Sequence, residues 1–163
     1  MNKVHRLTIA GRFDQLEHVC ELIEQAAGEA GLGKEECGRC QLAVDEACTN
    51  IIEHGYGGEN RGTIDLVCQV REGELVVTVQ DHAQPFDPTE VPPPKLNAPL
   101  DEIKVGGLGI YFMRQVMDAV EFTYEGGGNK LVLVKRRGQE PPATLKAQGK
   151  CPWAFSISPH HEP

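Results

Sequence analysis

Residues 3–9 alternate between Val4, Arg6 and Thr8 on one side and His5, Leu7 and Ile9 on the other, which predicts an opening strand ended by Gly11. From Phe13 to Ala30 the apolar residues Leu16, Val19, Cys20, Ile23, Ala26 and Ala27 recur at helical spacing, with Asp14 or a neighbour as the expected cap. Gly31-Leu32-Gly33 breaks this helix. A second helical pattern runs from Lys34 to His54, with Gly55 where a C-cap is favoured. Ile64, Leu66, Cys68 and Val70, then Leu75, Val77 and Val79, keep a period of two around Arg71-Glu72-Gly73-Glu74 and predict a hairpin.

Periodicity vanishes between Asp81 and Gly107, where Pro85, Pro88, Pro92, Pro93, Pro94 and Pro99 exclude helix and central strand. So long a loop inside a compact domain points to a lid or binding element. Leu108 to Asp118 reads as a third helix, and Val120 to Tyr124 and Lys130 to Arg136 as two closing strands around Gly126-Gly127-Gly128-Asn129. The predicted architecture is an α/β two-layer sandwich, with a mixed, mainly antiparallel sheet of about five strands and three helices on one face.

Composition narrows the chemistry. The 163 residues suit one domain, expected over residues 1–136, followed by a Pro-rich and loosely held tail over 137–163. Net charge is -8, and residues 1–136 carry 13 basic against 22 acidic side chains, which argues against binding nucleic acid or anionic lipid. No apolar run approaches the roughly 20 residues of a membrane span, and the N-terminus lacks a secretory pattern, so a cytoplasmic location is expected. Cys37-Gly-Arg-Cys40 has the spacing of a metal-binding pair but no second pair to complete four ligands. Cys37, Cys40, Val44, Cys48 and Ile51 share one helical arc, so these thiols read as small core residues.

Three motifs carry candidate chemistry. In Asp45-Glu46-Ala47-Cys48-Thr49-Asn50, Glu46 and Asn50 project from one helix face a turn apart, while Val44, Cys48 and Ile51 lie opposite. A carboxylate can accept a hydroxyl proton and an amide oxygen is a neutral hard ligand for Mg²⁺; a solvated helix face is the plain alternative. Asp81, in phase with Leu75, Val77 and Val79, sits where the buried sheet face ends. There it either receives a donor such as the adenine amine or starts a turn before Pro85. Gly106-Gly107-Leu108-Gly109-Ile110 opens the third helix, as a phosphate cradle or as a plain hinge. It is neither a Walker A loop nor GxGxxG, since Phe112 stands where the last glycine would be.

Read in order, Glu46-x-x-x-Asn50, Asp81 with Pro85-Phe86-Asp87, and Gly107-Leu108-Gly109 resemble the GHKL ATPase superfamily with its Bergerat ATP-binding fold. With His54-Gly55-Tyr56 and the single-domain size, the chain is most similar to the bacterial anti-sigma factor serine kinases, over roughly residues 3–136. The resemblance implies an ATP- and Mg²⁺-dependent serine/threonine kinase that phosphorylates a small anti-anti-sigma partner of STAS type and holds a sigma factor. It implies that Glu46 accepts the proton of the attacking hydroxyl, Asn50 ligates Mg²⁺ and Asp81 binds the adenine amine. Ala83, Phe86, Gly107, Leu108 and Gly109 complete the nucleotide site, with residues 89–106 as a lid. It also implies a homodimer that pairs through helix one and the opening strand. A non-catalytic ATP-gated switch and a histidine-kinase-like domain are the rival readings. Two positions depart from the pattern. Ala83 replaces a usual Gly, and Asn129 or Lys130 stands where the family often has a Thr beside adenine, so that role is left unassigned.

Overall fold

The computed structural model describes residues 2–85 and 105–138. The elements are β1 (Lys3–Ala10), a short 3-10 turn (Phe13–Gln15), α1 (Leu16–Ala30), α2 (Lys34–Asn50), a π turn (Ile51–Gly55), β2 (Thr63–Arg71), β3 (Glu74–Gln80), α3 (Val105–Val116), β4 (Ala119–Glu125) and β5 (Gly128–Arg136).

The sheet order is β1-β2-β3-β5-β4. All four pairings are antiparallel, so the expected mixed sheet is corrected. The connection through α3 carries the chain past one strand position, which β5 then fills. β3 and β4 therefore run the same way but never touch. Gly126 and Gly127 both adopt positive φ, as a two-residue turn between twisted strands requires, and bring Glu125 opposite Gly128.

Alternate residues of each strand feed one core. Ile64, Leu66, Cys68 and Val70 of β2, Leu75, Val77 and Val79 of β3, and Leu131 and Leu133 of β5 pack with Val19 and Ile23 of α1, Cys40, Val44 and Cys48 of α2, and Met113 and Val116 of α3. Burying an aliphatic side chain of this size stabilises by about 1.5–3 kcal/mol, so the period-two strands and the helical stripes hold each other in register. Lys135, the one basic residue on the inner face of β5, is 1% exposed. Its Nζ donates to the Val116 carbonyl at 2.9 Å and lies 3.7 Å from Asp118, so a buried cation caps the carbonyl end of α3.

Three expected boundaries shift. Asp14 pairs with Arg12 instead of capping, and the residue before α1 makes no side-chain cap bond. α3 starts at Val105, three residues ahead of the predicted Leu108, so the glycines lie inside its first turns and the supposed lid ends sooner. Gly55 belongs to the π turn and is not a C-cap. Residues 89–104 of the predicted lid and the tail from 139 lie outside the described residues. Among the described residues, no helix is long and apolar enough to cross a membrane.

Candidate functional site

The C-terminal end of α2 meets the exit of β3. α2 is capped by Gly33, whose N–H donates to the Glu36 carboxylate at 2.7 Å, and its inward residues Val44 and Cys48 are fully buried. That packing fixes the rotation of the helix, leaving Glu46 and Asn50 half-buried on another side. Asn50 Oδ1 is buried and, among the described residues, has no hydrogen-bond partner. A buried acceptor left unsatisfied costs about 1–3 kcal/mol, so this atom is held in place by the helix against its own interest.

Beyond Asn50 the helix widens. Tyr56 N–H donates to Ile51 O at 2.7 Å and Gly58 N–H to Ile52 O at 2.8 Å, a loosening often found at functional sites. The π turn swings Gly55 towards β3, where a Cβ on Gly55 would come 3.3 Å from Ala83 Cβ and 4.0 Å from Asp81 Oδ2. It also delivers Tyr56, whose hydroxyl donates to Thr63 O at 2.5 Å and accepts the His82 N–H at 2.9 Å. Burial pushes the Tyr56 phenol up, so it stays a neutral donor.

Asp81 is 4% exposed. Its Oδ1 accepts the N–H of Ala83 at 2.9 Å, the N–H of Asn129 at 3.0 Å and Asn129 Nδ2 at 3.0 Å. Asn129 Nδ2 also donates to Gln84 O at 2.7 Å. The donors thus converge on one carboxylate oxygen, while Oδ2 faces the space beside Gly55. Gly128 makes this contact feasible, because a Cβ there would run into the Asp81 carbonyl oxygen. Ala83 keeps a negative φ, so its methyl fills space without backbone strain.

The structure therefore brings Asp81 and Ala83 against the turn that follows Asn50. Gly107, Leu108 and Gly109 lie in the first turns of α3, where the N–H groups of the opening turn have no acceptor within the helix. Phe86 lies outside the described residues. Asn129, Gly128 and Tyr56 were given no role from the sequence; only the missing Thr near the start of the last strand hinted at Asn129.

The sequence profile of the histidine kinase-like ATPase domain matches residues 9–135, from the end of β1 to the penultimate residue of β5. The chain belongs to this family. Within the histidine kinase-like ATPases it is similar to the serine-protein kinase RsbW of Bacillus velezensis, 32% identical over 126 residues, 75% of this chain and 70% of that protein. The protein of the same name from Listeria innocua is 31% identical over 105 residues, 62% of this chain and 67% of that one. In fold the chain is also similar to part of the structure of the RsbU and RsbW domains of a Mycobacterium tuberculosis protein, with a TM-score of 0.60 and 16% identity. That match covers 85% of this chain and about a third of the other, 34%. An ATPase domain of this family uses ATP. The unpartnered amide oxygen of Asn50 suits a hard cation carried with the phosphates, so the residues present fit the metal that the family implies.

Proposed function

We propose that this chain is an ATP- and Mg²⁺-dependent serine/threonine protein kinase that also acts as an anti-sigma factor in the cytoplasm, with its activity in residues 1–136. The observation that carries the reading is the buried, unpartnered Oδ1 of Asn50, one helical turn from the carboxylate of Glu46. Similarity to proteins named serine-protein kinase RsbW supports the choice of serine as acceptor. Its substrate is a small anti-anti-sigma protein of STAS type, its regulatory target a sigma factor, and its working form a homodimer.

In this reading Asp81 orients the base. Asn129 and the Ala83 N–H saturate Oδ1, so Oδ2 is left to accept the exocyclic amine of adenine. Ala83 lies beside the ring, with Phe86 assigned to the same site from the sequence, and Gly107 brings a first-turn amide of α3 to the phosphates while Leu108 and Gly109 carry the helix on from it. Asn50 Oδ1 would hold Mg²⁺, which would supply positive charge against the charge that develops during transfer. Glu46 accepts the proton of the partner's serine hydroxyl as its oxygen attacks the terminal phosphorus of ATP, the bond from that phosphorus to the bridging oxygen breaks, and ADP leaves.

Labelled ATP, Mg²⁺ and the STAS-type partner, incubated with wild type and with Glu46→Gln, test this. The expected result is acid-stable label on the partner, slowed at least about a hundredfold by the substitution, with unchanged ATP affinity. ATP binding with no transfer would leave the non-catalytic switch, and acid-labile label would indicate histidine transfer.

A further inference from the structure

Three consecutive N–H groups follow the end of β3, and each has an acceptor. Asp81 N–H donates to Asn129 O at 3.0 Å, and Ala83 N–H turns back to Asp81 Oδ1 at 2.9 Å. The middle one, of His82, is taken by neither the sheet nor the turn; among the described residues its acceptor is the Tyr56 hydroxyl, at 2.9 Å. The same peptide unit is closed at its other end, because the Asp81 carbonyl oxygen lies where a Cβ on residue 128 would stand. A peptide is planar, so the unit that directly follows Asp81 is clamped between Tyr56 and Gly128, and the backbone torsion that sets the carboxylate against the turn is fixed with it. Tyr56 in turn has a seat built for it. Its ring lies over Gly62, where a Cβ would run into Cζ, Cε1 and Cε2, and its Cδ2 is 3.5 Å from the place of a Cβ on Gly11. Gly11 N–H donates to Gly62 O at 2.8 Å, so the two glycines make one surface without side chains. The hydroxyl donates onward to Thr63 O at 2.5 Å, at the first residue of β2. The His82 ring points the other way, with Nε2 3.2 Å from Asp65 Oδ2, so residue 82 offers the site only its backbone.

We infer that Tyr56 is a positioning residue for the base: through the His82 N–H its hydroxyl holds the Asp81–Ala83 turn so that Oδ2 meets an exocyclic amine, and this fixing selects adenine over guanine. The inference rests on the reading of Asp81 as the adenine acceptor given above. Guanine carries a carbonyl oxygen where adenine carries the amine. A carboxylate held in place repels that oxygen, whereas one free to turn away both loses the amine and stops rejecting the carbonyl. The same hydroxyl joins the two ends of the site, since Tyr56 follows Asn50 on one continuous stretch through the π turn.

Calorimetry of the full chain with ADP and with GDP tests this without any protein partner. Wild type is expected to prefer ADP. Tyr56→Phe keeps the ring on its seat and removes only the hydroxyl; the ADP-over-GDP preference is expected to shrink about tenfold, through weaker ADP binding with GDP binding held or improved. Gly62→Ala keeps the hydroxyl and pushes the ring off its seat. It is expected to shrink the preference likewise, and the two changes together no further than one alone. A purely structural role would lower the melting temperature of Tyr56→Phe and leave the preference as in wild type, and that result overturns the inference while the reading of Asp81 stands. A wild type without any preference for ADP overturns the reading of Asp81 and the inference with it.

Discussion

Asn129 donates to Oδ1 of Asp81 twice, from its backbone N–H and from Nδ2, each at 3.0 Å. The amide thereby sets the rotamer of a buried carboxylate and, through Gln84 O, the path of the chain that follows. Asn129→Ala keeps the backbone bond and loses both side-chain bonds. ATP affinity by calorimetry is expected to fall roughly tenfold, with phosphoryl transfer at saturating ATP unchanged, because a lost bond to a charged group is worth about 1.5–3 kcal/mol and part is retained. An unchanged affinity would show that Asp81 needs no such fixing.

Asn50→Ala should separate stability from function. Removing a buried acceptor without a partner is expected to raise thermal stability by about 1 kcal/mol. The same change is expected to abolish the Mg²⁺ dependence of ATP binding. Melting curves and titrations with and without chelator check both halves; a loss of stability would mean that Oδ1 is satisfied in solution.

Gly55 and Ala83 share one gap. Gly55→Ala places a methyl 3.3 Å from Ala83 Cβ, tighter than ordinary contact, beside the carboxylate of Asp81. ATP affinity is expected to drop about tenfold, in line with overpacking costs of 1–3 kcal/mol. Gly55→Ala combined with Ala83→Gly is expected to recover most of it, and the double-mutant cycle measures the coupling. Additive effects would place the two residues on separate problems.

The buried thiols give a pH signature. Burial pushes Cys40 and Cys68 up to about 12 and Cys48 up as well. Above pH 9 the unfolded chain releases these protons and the native one retains them, so stability falls as pH rises. The expected slope is about 1.4 kcal/mol per pH unit per thiol, fully recovered below pH 9. Denaturant unfolding between pH 8 and 10 measures it, and Cys40→Ala should flatten the slope. The same three thiols should resist alkylation in the native state at pH 8.

The strands were legible because a sheet covered on one side writes its burial as strict alternation, as in Ile64-Asp65-Leu66-Val67-Cys68. Helix α2 was legible for a related reason: Val44 and Cys48 mark the inward stripe, which leaves Glu46 and Asn50 elsewhere. The start of α3 was not, because Gly106 and Gly107 have no side chains to carry a period and low helix propensity argues against them. The π turn was hidden too. An extra residue per turn shifts the phase only after Asn50, where Gly55-Tyr56-Gly57-Gly58 looks like an ordinary helix stop. Asn129 failed to stand out because a polar residue after three glycines is what a turn predicts; its partner lies 48 positions away, and only the strand pairing brings them together.

Glu36 uses its two carboxylate oxygens on different tasks, accepting the Gly33 N–H at 2.7 Å and the Gly138 N–H at 2.8 Å. One side chain thus stitches the beginning of α2 to the chain leaving β5, while Glu46 and Asn50, proposed above for the site, lie towards the other end of the same helix, about 15–20 Å away along its axis. A fluorophore or tether grafted after Gly138 would therefore ride on the far pole of the molecule, reporting its tumbling and assembly without crowding the nucleotide.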